Sequence, residues 1–508
     1  MKKNWAIFAV LISSILLVSV FSYVFLMPKS EPFVIPESVL DSFYVGVTYC
    51  GESPEEAKQL IDKVKTYTNL FVLQSGQIQM RPYDIIKIGD YAVSQGMYFI
   101  AYFGSDKSWQ MKTWLEAYDE HWSDRFLGVY FGDEQAGKML DGEMTFYDQD
   151  TKSNLKKWAD RSIRGYKVNG NDSTIMSYWQ DGLIVLDITE SNDEPRFTDQ
   201  GESNPDYDHR TTRVSYYPNG TVIVKSRKDS GDIIRDQSEI RASSNGNLVI
   251  YPVDASTTWE VIDDYNSAFT YEELWNSRLF QSYDETAQRF IHECDYSLNR
   301  YGPQNFSYLT SDYALYWFDY KGGYDVVMAQ LGWNHTLEQD IALIRGAANL
   351  QNKTWGAIIT WKYNHSPYLD TGEEIYNQMR TAYEAGAKYV VVFNYAEDMT
   401  GPYGTLQDEH FDALERFWND TVMSDAVEQN SIEAEAVLVL PENYGWGMRD
   451  LGDKIWGLWG PDDKSEQIWS MCQSLLEEYG FGLDIVCEDS EFPVEGRYSQ
   501  TYFWNQTG

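Results

Sequence analysis

Phe126–Gly137 reads Phe-Leu-Gly-Val-Tyr-Phe-Gly-Asp-Glu-Gln-Ala-Gly, and this stretch decides how the rest of the chain is interpreted. Its first six residues form a short apolar run of the kind that makes a buried strand. The run ends at Gly132, and two adjacent carboxylates, Asp133 and Glu134, follow. Because an α/β barrel presents its catalytic groups where parallel strands end, the stretch predicts a barrel strand with acids at its exit. The alternative is that Asp133 caps a helix and Glu134 is solvated.

Strands and helices are predicted to alternate before this stretch. Apolar runs at Tyr44–Gly51, Asn69–Gly76 and Met97–Gly104 predict three strands, and segments with helical spacing follow them. Directly after the first run, Ser53-Pro54-Glu55-Glu56 combines a capping box with proline at the first helical position. The stretch around Glu134 is then the fourth strand of a repeating series.

Residues 138 to about 265 break the series, because they are polar and contain two hairpin signals. They predict a β-rich insertion after strand four. Four further strands are then expected at Ala314–Tyr320, Val326–Gly332, Trp355–Trp361 and Tyr389–Tyr395. Eight apolar strands alternating with helices predict a (β/α)8 TIM barrel. A doubly wound open sheet is the alternative, but no Gly-x-Gly-x-x-Gly follows the first strand.

A smaller unit is predicted after the barrel. Its strand at Ala434–Leu440, helix at Lys464–Tyr479 and strand at Leu483–Val486 form one βαβ-like module. We therefore expect a barrel over residues 43–430, with the insertion at 138–265, and a C-terminal α/β module over 431–508.

The N-terminus has the pattern of a signal anchor over residues 1–28. Lys2 and Lys3 precede an uncharged apolar segment of 23 residues, Trp5–Met27, which is long enough to span a bilayer. A cleaved signal peptide is the alternative, although its best cleavage positions would lie inside the apolar run. Residues 29–42 then form a short stalk, and the positive-inside rule places everything after Pro28 outside the cell.

Two residue patterns agree with an extracellular location. The glycosylation pattern Asn-x-Ser/Thr occurs eight times, at Asn171, Asn219, Asn305, Asn334, Asn352, Asn364, Asn419 and Asn505. The four cysteines are even in number and allow three disulfide pairings, and Cys472 and Cys487 are close enough in sequence to tie a helix to the next strand. None has Cys-x-x-Cys spacing, so no metal site is expected.

Composition favours a carbohydrate partner. The net charge of −38 argues against nucleic acid and anionic lipid, since both require basic surface. Aromatic residues make up 16% of the chain, and Trp and Tyr rings can stack on the C–H faces of sugars. No cofactor motif is present, so no cofactor is expected.

The predicted strand exits offer acids, amides and aromatic rings, which suit a polyhydroxylated ligand. The expected substrate-binding residues are Tyr49, Gln74, Tyr102, Gln330, Trp333, Trp361, Asn394 and Glu397.

Glycosidic cleavage requires two carboxyl groups. Glu134 is the predicted general acid, and the adjacent Asp133 is expected to raise its pKa if both are buried. Asp319 is the leading partner, because it follows the aromatic residues of the predicted fifth strand. Glu397 or Asp398, after strand eight, is the second choice.

The exit of strand four and the units of strands seven and eight resemble TIM-barrel glycoside hydrolases. Many of these carry a general-acid Glu at the end of strand four, where Glu134 stands. They usually pair it with a Glu ending strand seven, whereas this strand ends Trp361-Lys362-Tyr363 and the next carboxylate is Asp370. A chitinase-like barrel also ends strand four in Glu, but of its Asp-x-x-Asp-x-Asp-x-Glu run only the last acid pair has a counterpart here.

The resemblance is one of architecture over about residues 44–490, and it implies hydrolysis of O-glycosyl bonds. The module after the barrel is similar to the flavodoxin-like domain that trails some β-galactosidase-type enzymes. The sequons and signal anchor resemble those of an archaeal cell-surface protein. The rival hypotheses are a non-catalytic surface glycoprotein that holds glycans in the same groove and a structural surface-layer component.

Overall fold

A computed structural model gives the fold of the chain. It describes residues 43–104, 122–141, 146–147, 164–169, 172–178, 184–191, 209–219, 222–229, 238–242, 248–252, 282–301, 306–331, 335–363, 365–395, 401–424 and 427–506. Eight parallel strands close into a barrel, so the (β/α)8 prediction is confirmed. They are β1 (Tyr44–Tyr49), β2 (Leu70–Leu73), β3 (Tyr98–Phe103), β4 (Phe126–Phe131), β13 (Tyr308–Asp312), β14 (Val326–Leu331), β15 (Thr354–Ile359) and β16 (Tyr389–Val392), with β5–β12 between them in an insertion.

In the described part of the chain, helices lie between and after the barrel strands. They are α1 (Pro54–Val64), α2 (Pro82–Ser94), α3 (Gln135–Leu140), α4 (Tyr283–Tyr301), α5 (Tyr316–Lys321), α6 (Leu337–Leu350), α7 (Gly372–Glu384) and α8 (Asp408–Phe417). The first begins as its sequence predicts, because the Ser53 side chain accepts a hydrogen bond from Glu56 N and Pro54 occupies the first turn.

The prediction that Ala314–Tyr320 forms the fifth strand is wrong. The fifth barrel strand is β13, which is more polar, and most of the predicted run forms the short helix α5. The reason is that α5 is buried nearly all round, so its sequence shows the continuous apolar pattern expected of a buried strand.

Alternate residues of each strand fill the inside of the barrel. This interior cluster consists of Tyr44, Leu70, Val72, Tyr98, Ile100, Tyr130, Leu309, Val326, Met328, Ile358, Tyr389 and Val391. Where β4 meets β13, Gly128 is required, since a Cβ there would lie 2.4 Å from the Ser307 carbonyl oxygen. The packed interior leaves the carboxyl ends of the strands as the place for a site.

The insertion is β-rich, as predicted. Eight strands in the described residues of the insertion, β5 to β12, form one sheet in sequence order, and neighbours are antiparallel except β5 and β6. The strands are β5 (Phe146–Tyr147), β6 (Arg164–Asn169), β7 (Asp172–Tyr178), β8 (Ile184–Ser191), β9 (His209–Tyr216), β10 (Val222–Asp229), β11 (Ser238–Ala242) and β12 (Leu248–Pro252). The chain leaves the barrel after β4 and returns to it at β13.

A C-terminal α/β module follows the barrel. Its sheet has the order β18–β17–β19, with all pairs parallel, and α9 (Asp463–Tyr479) connects the first two strands in sequence. The strands are β17 (Ala436–Leu440), β18 (Leu483–Cys487) and β19 (Gln500–Phe503), the last of which the sequence did not predict. The module packs on α6 of the barrel, where the side chain of Arg345 reaches Asp484 at 2.8 Å.

The disulfide prediction is wrong, because all four cysteines are free. Cys294, Cys472 and Cys487 are buried as small apolar side chains, and burial raises the pKa of Cys472 to about 12. Cys50 is partly exposed near the barrel mouth.

The predicted anchor and stalk, residues 1–42, lie outside the described residues. Among the residues that the structure does describe, no helix combines the length and apolar character that a membrane crossing requires. Four of the eight sequon asparagines are described, and all four are exposed: Asn219, Asn352, Asn419 and Asn505. The other four, Asn171, Asn305, Asn334 and Asn364, lie outside the described residues.

Candidate active site at the barrel mouth

The exit of β4 makes an unusual turn into α3. Gly132 has φ 71°, and Glu134, which precedes the first helical residue, has φ 55° and ψ 46°, in the left-handed region. Left-handed conformations of non-glycine residues are uncommon and concentrate at functional sites. The backbone N–H of Glu134 donates to Ser311 O at 3.0 Å, so the neighbouring strand β13 fixes this turn.

The carboxylate of Glu134 is oriented and accessible. Its Oε1 accepts a hydrogen bond of 2.7 Å from the side-chain amide of Gln330 on β14, and its Oε2 lies 3.4 Å from Nζ of Lys138. The side chain is 27% exposed, so a ligand at the mouth can reach it. The Gln330 amide and the Lys138 ammonium group therefore fix the direction of the Glu134 carboxyl group.

Asp133 is held below Glu134 by hydroxyl groups. Its Oδ1 accepts hydrogen bonds from Tyr130 at 2.5 Å and from Ser311 at 3.2 Å. Burial raises the pKa of Asp133 to about 6, and the charge of Glu134 adds to the rise, while Lys138 and the two hydroxyl groups oppose it. The sequence analysis expected the raised pKa at Glu134, whereas the raised pKa found at this pair is that of Asp133.

Asp312, at the end of β13, joins the two strand exits. Its carboxylate accepts backbone hydrogen bonds from Ala136 at 2.8 Å, Gly137 at 2.9 Å and Tyr313 at 2.7 Å. Two of these donors, the N–H groups of Ala136 and Gly137, lie in the first turn of α3, where N–H groups have no acceptor within the helix. Asp312 is fully buried, so its role is to hold α3 and the turn at Glu134 in place.

Asp319, the predicted partner of Glu134, is not at a strand exit. It lies on α5, is fully buried, and neither of its carboxylate oxygens has a hydrogen-bond partner in the described part of the chain. Burial and the neighbouring Asp312 raise the pKa of Asp319 well above its usual range. A substrate at the mouth would not reach it.

The other predicted binding residues divide by the face of their strands. Gln74 and Tyr102 continue the inward-facing positions of β2 and β3, and Gln74 donates to the Tyr130 hydroxyl at 3.3 Å. Tyr49 instead faces the helices, where its hydroxyl donates to Ser53 O at 2.9 Å. Asn394 binds a loop, accepting from Thr405 N at 3.0 Å.

Strand seven places its exit residues differently from the usual hydrolase pattern. Trp361 is exposed, and Lys362 forms an ion pair of 3.1 Å with the buried Asp370. Trp333, Glu397 and Asp398 lie outside the described residues.

The structure thus brings together Asp133, Glu134, Gln330, Gln74 and Tyr102 of the residues that the sequence predicted. It adds Tyr130, Ser311, Asp312 and Lys138, which the sequence analysis missed. The signal that could have found two of them is the polar end of Tyr308–Asp312, Thr-Ser-Asp, which mirrors the Gly-Asp-Glu after β4. Within the described residues, no three His, Cys, Asp or Glu side chains are placed to share a metal ion.

Comparisons with known proteins add little to this picture. No protein-family model matches the chain, and no curated protein matches it in sequence. A crystal structure of GH5_18 from Bifidobacterium longum subsp. longum, in complex with Manb1-4GlcNAc, aligns with 91% of this chain and 96% of its own. The TM-score is 0.40 and the identity 8%, so the fold assignment rests on the strand pairing described above.

Proposed function

We propose that the barrel mouth binds carbohydrate and that the chain is a glycoside hydrolase acting through paired carboxyl groups. The observation that carries this proposal is Glu134: an accessible carboxylate, fixed by Gln330, at the carboxyl end of β4 and next to the half-buried Asp133. Glycosidic cleavage needs one group that donates a proton and one that is ionised. Asp133, whose pKa is raised to about 6 by burial and by the charge of Glu134, is the second carboxyl group and lies directly beside Glu134.

Exposed aromatic rings around the mouth support a sugar ligand. Trp361 and Tyr363 follow β15, Tyr403 is in the segment after β16, and Tyr83 lies at the start of α2 after β2. These rings are exposed although large aromatic side chains are usually covered. They all belong to segments that leave the carboxyl ends of strands, where a glycan could stack on them.

Replacing Glu134 with glutamine tests the proposal. We expect wild-type protein to hydrolyse at least one member of a panel of polysaccharides and aryl glycosides, and Glu134→Gln to lower that rate by roughly 10²- to 10⁴-fold with binding retained. Glu415→Gln is the matched control, since Glu415 is an exposed carboxylate of α8. Equal rates in the Glu134 and Glu415 variants would refute the catalytic assignment.

The alternative function is non-catalytic carbohydrate binding. The pairing of Lys362 with Asp370 favours it, because it leaves no free carboxylate at the described exit of strand seven. In that case both wild type and Glu134→Gln bind glycans and neither hydrolyses them. Absence of any binding would favour a structural cell-surface role.

We propose further that the chain is anchored in the cell membrane by residues 1–28, with the remainder outside. The apolar segment Trp5–Met27 and the exposed sequons support this location. We expect the full chain to stay with membranes after an alkaline carbonate wash, whereas residues 29–508 are released. Release of both proteins would contradict the anchor.

A further inference from the structure

Three consecutive residues of the C-terminal module bind the barrel beside the candidate site. In this strap, residues 447–449, the Gly447 carbonyl lies 3.0 Å from Nε2 of His335, and the Met448 carbonyl accepts from the Gln339 amide at 2.9 Å. The third residue, Arg449, donates to Asp141 at 2.9 Å. The strap belongs to the loop between β17 and α9.

The barrel partners of the strap adjoin the two ends of the Glu134–Gln330 hydrogen bond. Asp141 directly follows α3, the six-residue helix that begins directly after Glu134. His335 stands in the loop that follows β14, the strand that carries Gln330. The strap therefore connects the segments that position both members of this hydrogen bond.

The two ring nitrogens of His335 each make a contact that needs a hydrogen, whereas a neutral imidazole beside an ionised aspartate has only one. Nδ1 of His335 lies 2.8 Å from Oδ1 of Asp340, and Nε2 faces the Gly447 carbonyl, which can only accept. Nε2 must then carry a hydrogen, and the contact at Nδ1 needs a second one, on either the ring or the carboxyl group. A neutral ring beside a charged Asp340 would leave one of the two contacts with no hydrogen.

We infer that the C-terminal module is a positioning part of the candidate site, and that a proton shared by His335 and Asp340 holds it there. The side chains of His335 and Asp340 are 0% and 1% exposed, so water cannot replace a lost hydrogen bond. The other oxygen of Asp340, Oδ2, is buried with no partner in the described part of the chain, which penalises the anion further.

The groups around this pair fix the direction of its pH dependence. The Tyr316 hydroxyl of α5 donates to Asp340 at 3.3 Å. On the strap side, the charge of Arg449 is matched by Asp453 and Asp141. Burial raises the pKa of Asp340 above its usual value, while the hydrogen bonds from His335 and Tyr316 and the charge of His335 oppose the rise. Docking is therefore strong while the pair holds its proton and weakens as the pH rises and the proton is lost.

Hydrogen exchange measures this docking independently of any activity. The amide of Trp456 is bonded to Gly445 O at 2.7 Å in the strap loop, and the amide of Val391 lies within the barrel strand β16. The ratio of their exchange rates cancels the intrinsic effect of pH. Between pH 6 and pH 9 we expect the Trp456/Val391 ratio of the wild-type full chain to rise about tenfold or more, since docking weakens by up to about tenfold for each pH unit over which the pair loses its proton.

Two variants separate the proton from the contact itself. Asp340→Asn supplies an amide hydrogen to a neutral His335, so the ratio should stay low at both pH values. His335→Ala removes the contact, so the ratio should be high at both. A wild-type ratio that does not change with pH, or an equal change in wild type and Asp340→Asn, would overturn the inference.

The effect on the site rests on the proposed function and needs a second readout. We expect wild-type hydrolysis to fall on the alkaline side over the same pH range in which the exchange ratio rises, and Asp340→Asn to keep its rate there. Loss of hydrolysis in every sample would refute the proposed function and leave the exchange result valid. If wild type and Asp340→Asn hydrolyse the substrate at the same rate across the alkaline range while their exchange ratios differ as expected, the strap docks without positioning the site.

Discussion

Replacing Arg345 with alanine is expected to destabilise the chain by about 3–5 kcal/mol, because it strands a buried charge between the barrel and the C-terminal module. Arg345 and Asp484 are 2% and 1% exposed, and their side chains meet at 2.8 Å. The guanidinium also donates to the carbonyls of Ile432 at 3.1 Å, Phe481 at 2.6 Å and Leu483 at 3.1 Å. The substitution therefore removes the cationic partner of Asp484, which keeps only the hydrogen bond from the Tyr498 hydroxyl, and the Arg345 donors of three carbonyl groups at once.

Denaturant unfolding of wild type and variant gives this free energy, and Arg380→Ala is the matched control. Arg380 pairs with Glu384 at 3.0 Å on the neighbouring helix α7, but it is 44% exposed. Pairs of that kind contribute about 0–1 kcal/mol. Equal losses in the two variants would show that burial of the Arg345 pair does not matter. Replacing both Arg345 and Asp484 with apolar residues should recover much of the loss.

Replacing Asp312 with alanine is the second large effect, expected at about 3 kcal/mol or more. It leaves the buried amides of Ala136, Gly137 and Tyr313 without an acceptor, and each orphaned amide costs about 1–3 kcal/mol. Because the first two start α3, the turn at Glu134 should loosen as well. Unfolding measurements report the stability, and glycan affinity reports the site.

Asp319→Asn is the control for Asp312, since Asp319 is equally buried and binds no backbone amide that would be orphaned. Its raised pKa in the folded chain means that wild-type folding takes up a proton, so wild-type stability falls as the pH rises above the unfolded value of about 4. Asparagine does not titrate. We therefore expect Asp319→Asn to gain stability relative to wild type between pH 5 and pH 8. A loss as large as that of Asp312→Ala would contradict both assignments.

The sequence predicts most of the barrel because its strands are apolar and its helices carry clear start signals. The start of α1 at Pro54 is predicted from Ser53-Pro54-Glu55-Glu56, and β1 to β4 are each predicted to within a few residues. The exception is instructive, since β13 ends in Thr310, Ser311 and Asp312, polar residues that look like a loop. Their burial depends on partners such as Tyr130, which no local pattern reveals.

The residues of the candidate site also include some that the sequence predicts and some that it does not. Glu134, Asp133 and Gln330 follow from their places at strand ends. The misplacement of β13 made Asp319 the expected partner and hid Asp312, because the acid at the true exit lies seven residues earlier in the chain. The direction of the Tyr49 side chain could not be predicted from the sequence either. A strand that is buried on both faces has no alternation of polar and apolar residues to show which side chains point into the barrel.

The insertion also bears on the order in which the protein is made. The Asp133 carboxylate and the Ser311 hydroxyl touch in the barrel but are 178 positions apart in the chain. At about 5–20 residues per second, a ribosome needs roughly 10–35 seconds to travel between them. During that interval β4 has no partner strand, because β13 has not yet been synthesised. The inserted sheet can form in the same time, since its strands pair with their neighbours in sequence. Asp133 and Glu134 are thus translated early, but the site around them is complete only after the second half of the barrel has been synthesised.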